Sequence, residues 1–170
     1  MNIYIDIGTN LMQGFREISM IENIDDSWIK IFVEPNPECW QDIENNINSL
    51  ENSFLYKNAI STENKTVKLI TRADNKKDMA ATIMGEEYLK NSLSKWGINV
   101  NEFSTYEIET ITPDDLFKNI NPNDEVIVKL DAEGVEYEIL EDMINKGFNI
   151  KKLYCEFHVQ SQEDESKKNI

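Results

Sequence analysis

Short apolar runs that each close on a polar residue alternate with amphipathic stretches along most of this chain. Residues 2–7 alternate and then close on Asp6-Ile7-Gly8-Thr9-Asn10, which predicts a strand running into a glycine turn. From Leu11 onward, Leu11, Phe15, Ile18 and Ile21 fall at helical spacing. Gly14 weakens the middle of that helix by about 1 kcal/mol relative to alanine. Residues 28–33 predict a second strand, stopping at Glu34. Asn36-Pro37 then supplies a capping side chain followed by proline at the first helical position, and the next helix carries Trp40, Ile43, Ile47 and Leu50 on one face. Residues 54–60 predict a third strand, ending in Lys57-Asn58-Ala59. Strand, helix, strand, helix, strand is half of a doubly wound sheet.

The regularity then breaks. Residues 65–71 and 105–110 predict further strands, separated by a polar stretch over 72–84 and a helical segment over 85–96. The insertion 72–106 is expected to lie over the site as a lid or acceptor-recognition surface. Thr112-Pro113-Asp114-Asp115 starts a short helix by the same cap-then-proline logic. The stretch 125–147 is the organising piece. Val126-Ile127-Val128 and Leu130 suit a strand buried on both faces of a parallel sheet, and the run stops at Asp131. After Gly134 a helix places Val135, Ile139, Leu140, Met143 and Ile144 at helical spacing and ends at Lys146-Gly147. A last strand is predicted over 152–157. The domain therefore spans 1–159, with a polar tail over 160–170. The fold class is α/β: a Rossmann-like, mostly parallel sheet with helices on both faces.

Composition narrows the function classes. At 170 residues with 40% hydrophobic content, this is one globular domain with a proper core. A net charge of −15 repels phosphate backbones and anionic headgroups, so neither nucleic acid nor a membrane surface is an expected partner. Cys39 and Cys155 sit in apolar segments without metal or redox spacing and read as free thiols. The first residues carry no basic leader and no run reaches a membrane span, so a cytoplasmic location is expected.

The chemistry is suggested by how the strands end: Asp6, Glu34, Asn58, Asp131 with Glu133, and Glu156 with His158. In a parallel sheet these ends share one edge, so the polar groups converge on one crevice. Gathered carboxylates repel one another unless a cation, hydroxyls or a positively charged ligand offsets them. Asp6-x-Gly8 followed by Glu34 is a nucleotide-type arrangement, in which glycine admits the ligand and the acid takes ribose hydroxyls. No basic residue is near the turn in sequence and GxGxxG is absent, so a ligand with a ribose, no phosphate and positive charge fits best. S-adenosylmethionine has those properties. The expected cofactor contacts are Asp6, Gly8, Asn10, Glu34, Asn58 and Ala59.

The succession Ile5-Asp6-Ile7-Gly8-Thr9-Asn10, Val33-Glu34-Pro35-Asn36-Pro37, Asn58-Ala59-Ile60-Ser61, Thr112-Pro113-Asp114-Asp115-Leu116, Val128-Lys129-Leu130-Asp131-Ala132-Glu133-Gly134-Val135-Glu136 and Cys155-Glu156-Phe157-His158 resembles the FkbM family of class I methyltransferases. The likeness runs over nearly the whole chain and is most specific in KLDAEGVEYEIL with the preceding TPDDL. It implies S-adenosylmethionine as donor and O-methylation of a hydroxyl on a sugar or other small molecule. Two departures stand out. Met12 occupies a position where the family has a second glycine, so its side chain is expected to crowd the donor. Family members also continue beyond the fifth strand into a helix and a strand hairpin, so here the sheet is expected to be truncated after its fifth core strand or completed by a partner.

For methyl transfer to oxygen, a base removes the hydroxyl proton. The candidates are His158, oriented by Glu156, and Glu133, with Asp131 placing acceptor or donor. No metal is assigned; magnesium on Asp131, Glu133 and Glu156 is the minor reading. The tryptophans, with Tyr88, Phe103 and Tyr106, are read as core or lid packing. The competing function, favoured by Met12 and the short end, is a catalytically silent Rossmann-like module binding a nucleoside or a protein. Methylation of nucleic acid would need a basic groove, which the charge disfavours.

Overall fold

A computed structural model of the chain describes residues 1–158, so the tail expected over 160–170 lies outside the described residues. Its elements run β1 (Asn2–Ile7), α1 (Gln13–Glu22), β2 (Ile29–Val33), α2 (Pro37–Ile47), β3 (Ser53–Tyr56), β4 (Ala59–Ile60), β5 (Thr66–Arg72), α3 (Glu86–Ser94), β6 (Phe103–Ile111), α4 (Pro113–Phe117), β7 (Glu125–Leu130), α5 (Glu136–Lys146) and β8 (Lys152–Cys155). Five strands form one sheet in the order β3-β2-β1-β7-β8, with every neighbouring pair parallel.

Strand alternation divides the core. Ile3, Ile5 and Ile7 of β1 pack with Leu116 of α4 and with Ile139 and Met143 of α5. Tyr4 faces the other way, among Phe15 and Ile18 of α1 and Cys39 and Ile43 of α2. Helices therefore cover both faces, as a doubly wound sheet requires. The strand order reverses between β1 and β7, and their carboxyl ends open the crevice where such sheets take ligands.

Several expectations need correction. Residues 54–60 are two strands in two sheets. Tyr56 still pairs with Val33, but Ala59 and Ile60 pair with Thr110 and Ile111 in a second sheet, ordered β4-β6-β5. The chain changes sheets at Lys57-Asn58, where the Asn58 amide donates to the Glu109 carbonyl at 3.1 Å. α1 starts at Gln13 rather than Leu11, because Asn10 (φ 46°) and Met12 (φ 66°) are left-handed and cannot continue a right-handed helix. β8 stops at Cys155, short of Phe157. Ile144 (70% exposed) and Trp96 (81% exposed) stand in solvent instead of packing.

The capping signals hold. Asn36 Oδ1 accepts from the Glu38 amide, Thr112 and Asp115 form a reciprocal capping box, and Gly147 closes α5 at φ 68°. Among the described residues no helix is long and apolar enough to cross a membrane.

Candidate active site

A hollow of about 500 Å³ opens at the carboxyl ends of β1 and β7. Five of the residues read as cofactor contacts line it: Gly8, Asn10, Glu34, Asn58 and Ala59. So do Asp131, Glu133 and Glu156, and Met79, Ala81 and Ile83 close it from the insertion. That insertion is tied down by Asn36 Nδ2, which donates to the Lys76 carbonyl at 2.7 Å.

Asp6 is the exception. It is fully buried and does not line the hollow. Its carboxylate accepts from Tyr4 Oη and Thr9 Oγ1, both at 3.1 Å, and faces Lys129 Nζ at 3.2 Å. Lys129 is thus a basic group beside the turn that sequence proximity does not reveal. Parallel pairing sets Asp6 opposite Lys129, and the ammonium donates to the Gly8 carbonyl at 2.8 Å and lies 3.4 Å from Asp131. Burial works against its charge, but Asp6 and Asp131 outweigh it and hold the group cationic. Polar Lys129 inside the apolar run EVIVKL was the available signal.

Two glycines make this clamp fit. A Cβ on Gly8 would fall 1.7 Å from the Asp131 carbonyl oxygen, and its φ of +75° is a glycine conformation. A Cβ on Gly14 would meet Lys129 Cε at 2.7 Å. Met12 adopts the left-handed backbone its position demands, but its side chain is buried beside Tyr4 and Phe15 and does not line the hollow. The Met12 side chain therefore does not crowd the hollow.

Glu34 holds the turn to the second strand. One carboxylate oxygen accepts from the Asn10 amide at 2.6 Å and the other from the Asn36 amide at 2.8 Å. Burial nevertheless pushes its carboxyl up to about 7. Asn10 Oδ1 is buried without a hydrogen-bond partner among the described residues.

On the opposite wall, His158 is oriented by Glu136 rather than Glu156. Its Nδ1 lies 2.9 Å from Glu136, against 3.8 Å between Nε2 and Glu156. Glu136 is fully buried and also accepts from the Ala132 and Gly134 amides. Burial raises the Glu136 carboxyl, but the imidazole and the Gly134 amide outweigh that, so the net direction is down. His158 Nε2 is 3.5 Å from Glu133. Burial lowers the imidazole's value, and Glu136 and Glu133 more than reverse this, to about 9. His158 does not line the hollow, and its two ring nitrogens face Glu136 and Glu133. Burial pushes Glu133 up to about 8.

These shifts share a sign. Glu34, Glu133 and His158 all keep their protons longer in the folded chain than in the unfolded one. The stability they add is present at low pH and is lost as pH rises through their folded values. The melting temperature is expected to fall steadily from about pH 5 to about pH 9, and a flat or rising profile in calorimetric scans would contradict these assignments.

The family described as methyltransferase FkbM domain matches residues 6–169. No curated protein and no solved structure matches the chain. With that match covering most of the chain, including both walls of the hollow, this chain belongs to the FkbM methyltransferase family.

Proposed function

We propose that the chain is an S-adenosylmethionine-dependent O-methyltransferase acting on a hydroxyl of a sugar or another small molecule. The observation that carries this is one hollow at the strand-order reversal, with Glu34 on one wall and Asp131 and Glu133 on the other. The residues suit the donor. Gly8 lets the backbone approach closely, Glu34 offers acceptor lone pairs to ribose hydroxyls, and the orphaned Asn10 Oδ1 is free to accept a further hydrogen bond. The carboxylates across the hollow suit a positive charge.

When bound, the donor would supply a methyl group from a cationic sulfur to the acceptor oxygen, with a neutral thioether as leaving group. Glu133 then receives the hydroxyl proton. Burial makes it hold a proton more tightly than an ordinary carboxylate, and positive charge brought into the hollow opposes that and favours the ionised form a base needs. Asp131 orients the acceptor, and His158 positions Glu133. Met79, Ala81 and Ile83 give the acceptor side an apolar wall. The acidity of the chain argues against nucleic acid as acceptor, and the unpaired Cys39 and Cys155 fit a cytoplasmic setting.

Glu34→Ala is expected to weaken S-adenosylhomocysteine binding by at least about 1.5 kcal/mol, because a charged acceptor of the ribose hydroxyls is lost. Calorimetric titration of both proteins checks it. Equal affinities would place the donor elsewhere, and no heat from the unaltered chain at millimolar ligand would leave the silent binding module.

A further inference from the structure

We propose that Asp131, Glu133 and His158 form a binding site for one divalent metal ion in the wall of the hollow. One carboxylate oxygen from each acid and one imidazole nitrogen lie within 4.8 Å of one another. An ion about 2.1 Å from each atom would close them inward by a modest rotation of the side chains. The magnesium reading from sequence used Glu156 as third ligand; the geometry substitutes His158 and so adds a nitrogen donor.

The imidazole is presented as metal-binding imidazoles are. Nδ1 is engaged at 2.9 Å by Glu136, a carboxylate outside the ligand set, fully buried and itself held by the Ala132 and Gly134 amides. This fixes the ring and turns Nε2 towards Glu133, at 3.5 Å, where a bound ion would take the place of the Nε2 proton. A buried carboxylate behind a histidine is the usual second layer of a metal site, and a plain surface acidic patch has no need of one. Glu136 therefore separates this cluster from the many exposed acids of a chain with net charge −15.

The donor set indicates the ion. Two carboxylates favour hard cations, while imidazole favours first-row transition metals, so manganese(II) suits the mixture better than calcium. Asp131 and Glu133 line the hollow, so an ion held there faces the acceptor hydroxyl and favours its deprotonation. A carboxylate that ligates through one oxygen keeps the other for the departing proton. The catalytic part of this inference rests on the methyltransferase reading; the metal site does not.

The test is titration of the metal-stripped full chain with manganese(II), followed by electron paramagnetic resonance and calorimetry at physiological salt. The expected result is saturation at one ion per chain and a rise in melting temperature. His158→Gln and Glu133→Gln should each weaken the ion at least tenfold, and Glu136→Gln, which touches no ion, by about tenfold or more. Absence of saturable binding, or affinities unchanged in His158→Gln and Glu133→Gln, would overturn the proposal. Titrating the metal-free chain with S-adenosylhomocysteine reads the donor site separately, so either reading can fail without the other.

Discussion

Replacing Gly8 with alanine is expected to cost about 4 kcal/mol or more of folding stability, at the extreme of single substitutions. Two causes add. The backbone sits at φ +75°, where a side chain is disfavoured by roughly 1–2 kcal/mol. The added methyl carbon would also stand 1.7 Å from the Asp131 carbonyl oxygen and 2.9 Å from its carbon. Neither neighbour is a flexible side-chain end. The collision is with backbone held in place by the Asp131 amide, which donates to the Ile7 carbonyl at 3.0 Å, so the central pair β1–β7 has to part at the mouth of the crevice. Urea denaturation measures the loss. A change below about 1 kcal/mol would mean the turn does not run against β7.

The second large effect is expected at Lys129. Lys129→Met keeps the aliphatic stem but leaves fully buried Asp6 facing no cation. Breaking a buried pair from one side costs about 3–5 kcal/mol. The deficit should depend on pH in a defined direction. Burial raises the Asp6 carboxyl and Lys129 opposes that, so without its partner the folded value rises further, and the variant's fold keeps its stability below about pH 4 and loses it as pH rises. Denaturation at pH 5 and pH 7.5 should therefore show a larger loss at the higher pH. Adding Asp6→Asn, which removes the stranded charge, should recover much of it. Equal losses at both pH values, with no recovery in the double variant, would show that the ammonium matters only for packing.

These two residues mark the limit of what the sequence reveals. Gly8 was visible because a glycine closing an apolar run marks a strand that enters a tight turn. The cap at Asn36-Pro37, the capping box at Thr112 and the stop at Gly147 were visible because each is a local contact between residues a few positions apart. What stayed hidden depends on lateral register. Asp6 and Lys129 are 123 positions apart and meet only because β1 and β7 are neighbours in a particular alignment. Asp6 read as a ligand contact, and the structure buries it against Lys129, outside the lining of the hollow. Glu136 belongs to the motif after β7, but its partner His158 arrives from beyond β8, and Glu156, two residues from the histidine, was the tempting local choice. The break at Lys57-Asn58 was missed because two polar residues between Phe54-Leu55-Tyr56 and Ala59-Ile60 fit inside one half-exposed strand as well as between two strands, and only the pairing partners show the change of sheet.

The central claim is that the hollow between β1 and β7 takes the methyl donor with its ribose at Glu34 and its sulfur towards Asp131 and Glu133. Crystals soaked with S-adenosylhomocysteine test it most directly. The account predicts density in this hollow, with ribose hydroxyls within hydrogen-bonding distance of the Glu34 carboxylate and the sulfur facing the opposite acids. Density for the ligand elsewhere on the chain, or an unfilled hollow under conditions where calorimetry records saturation, would contradict it.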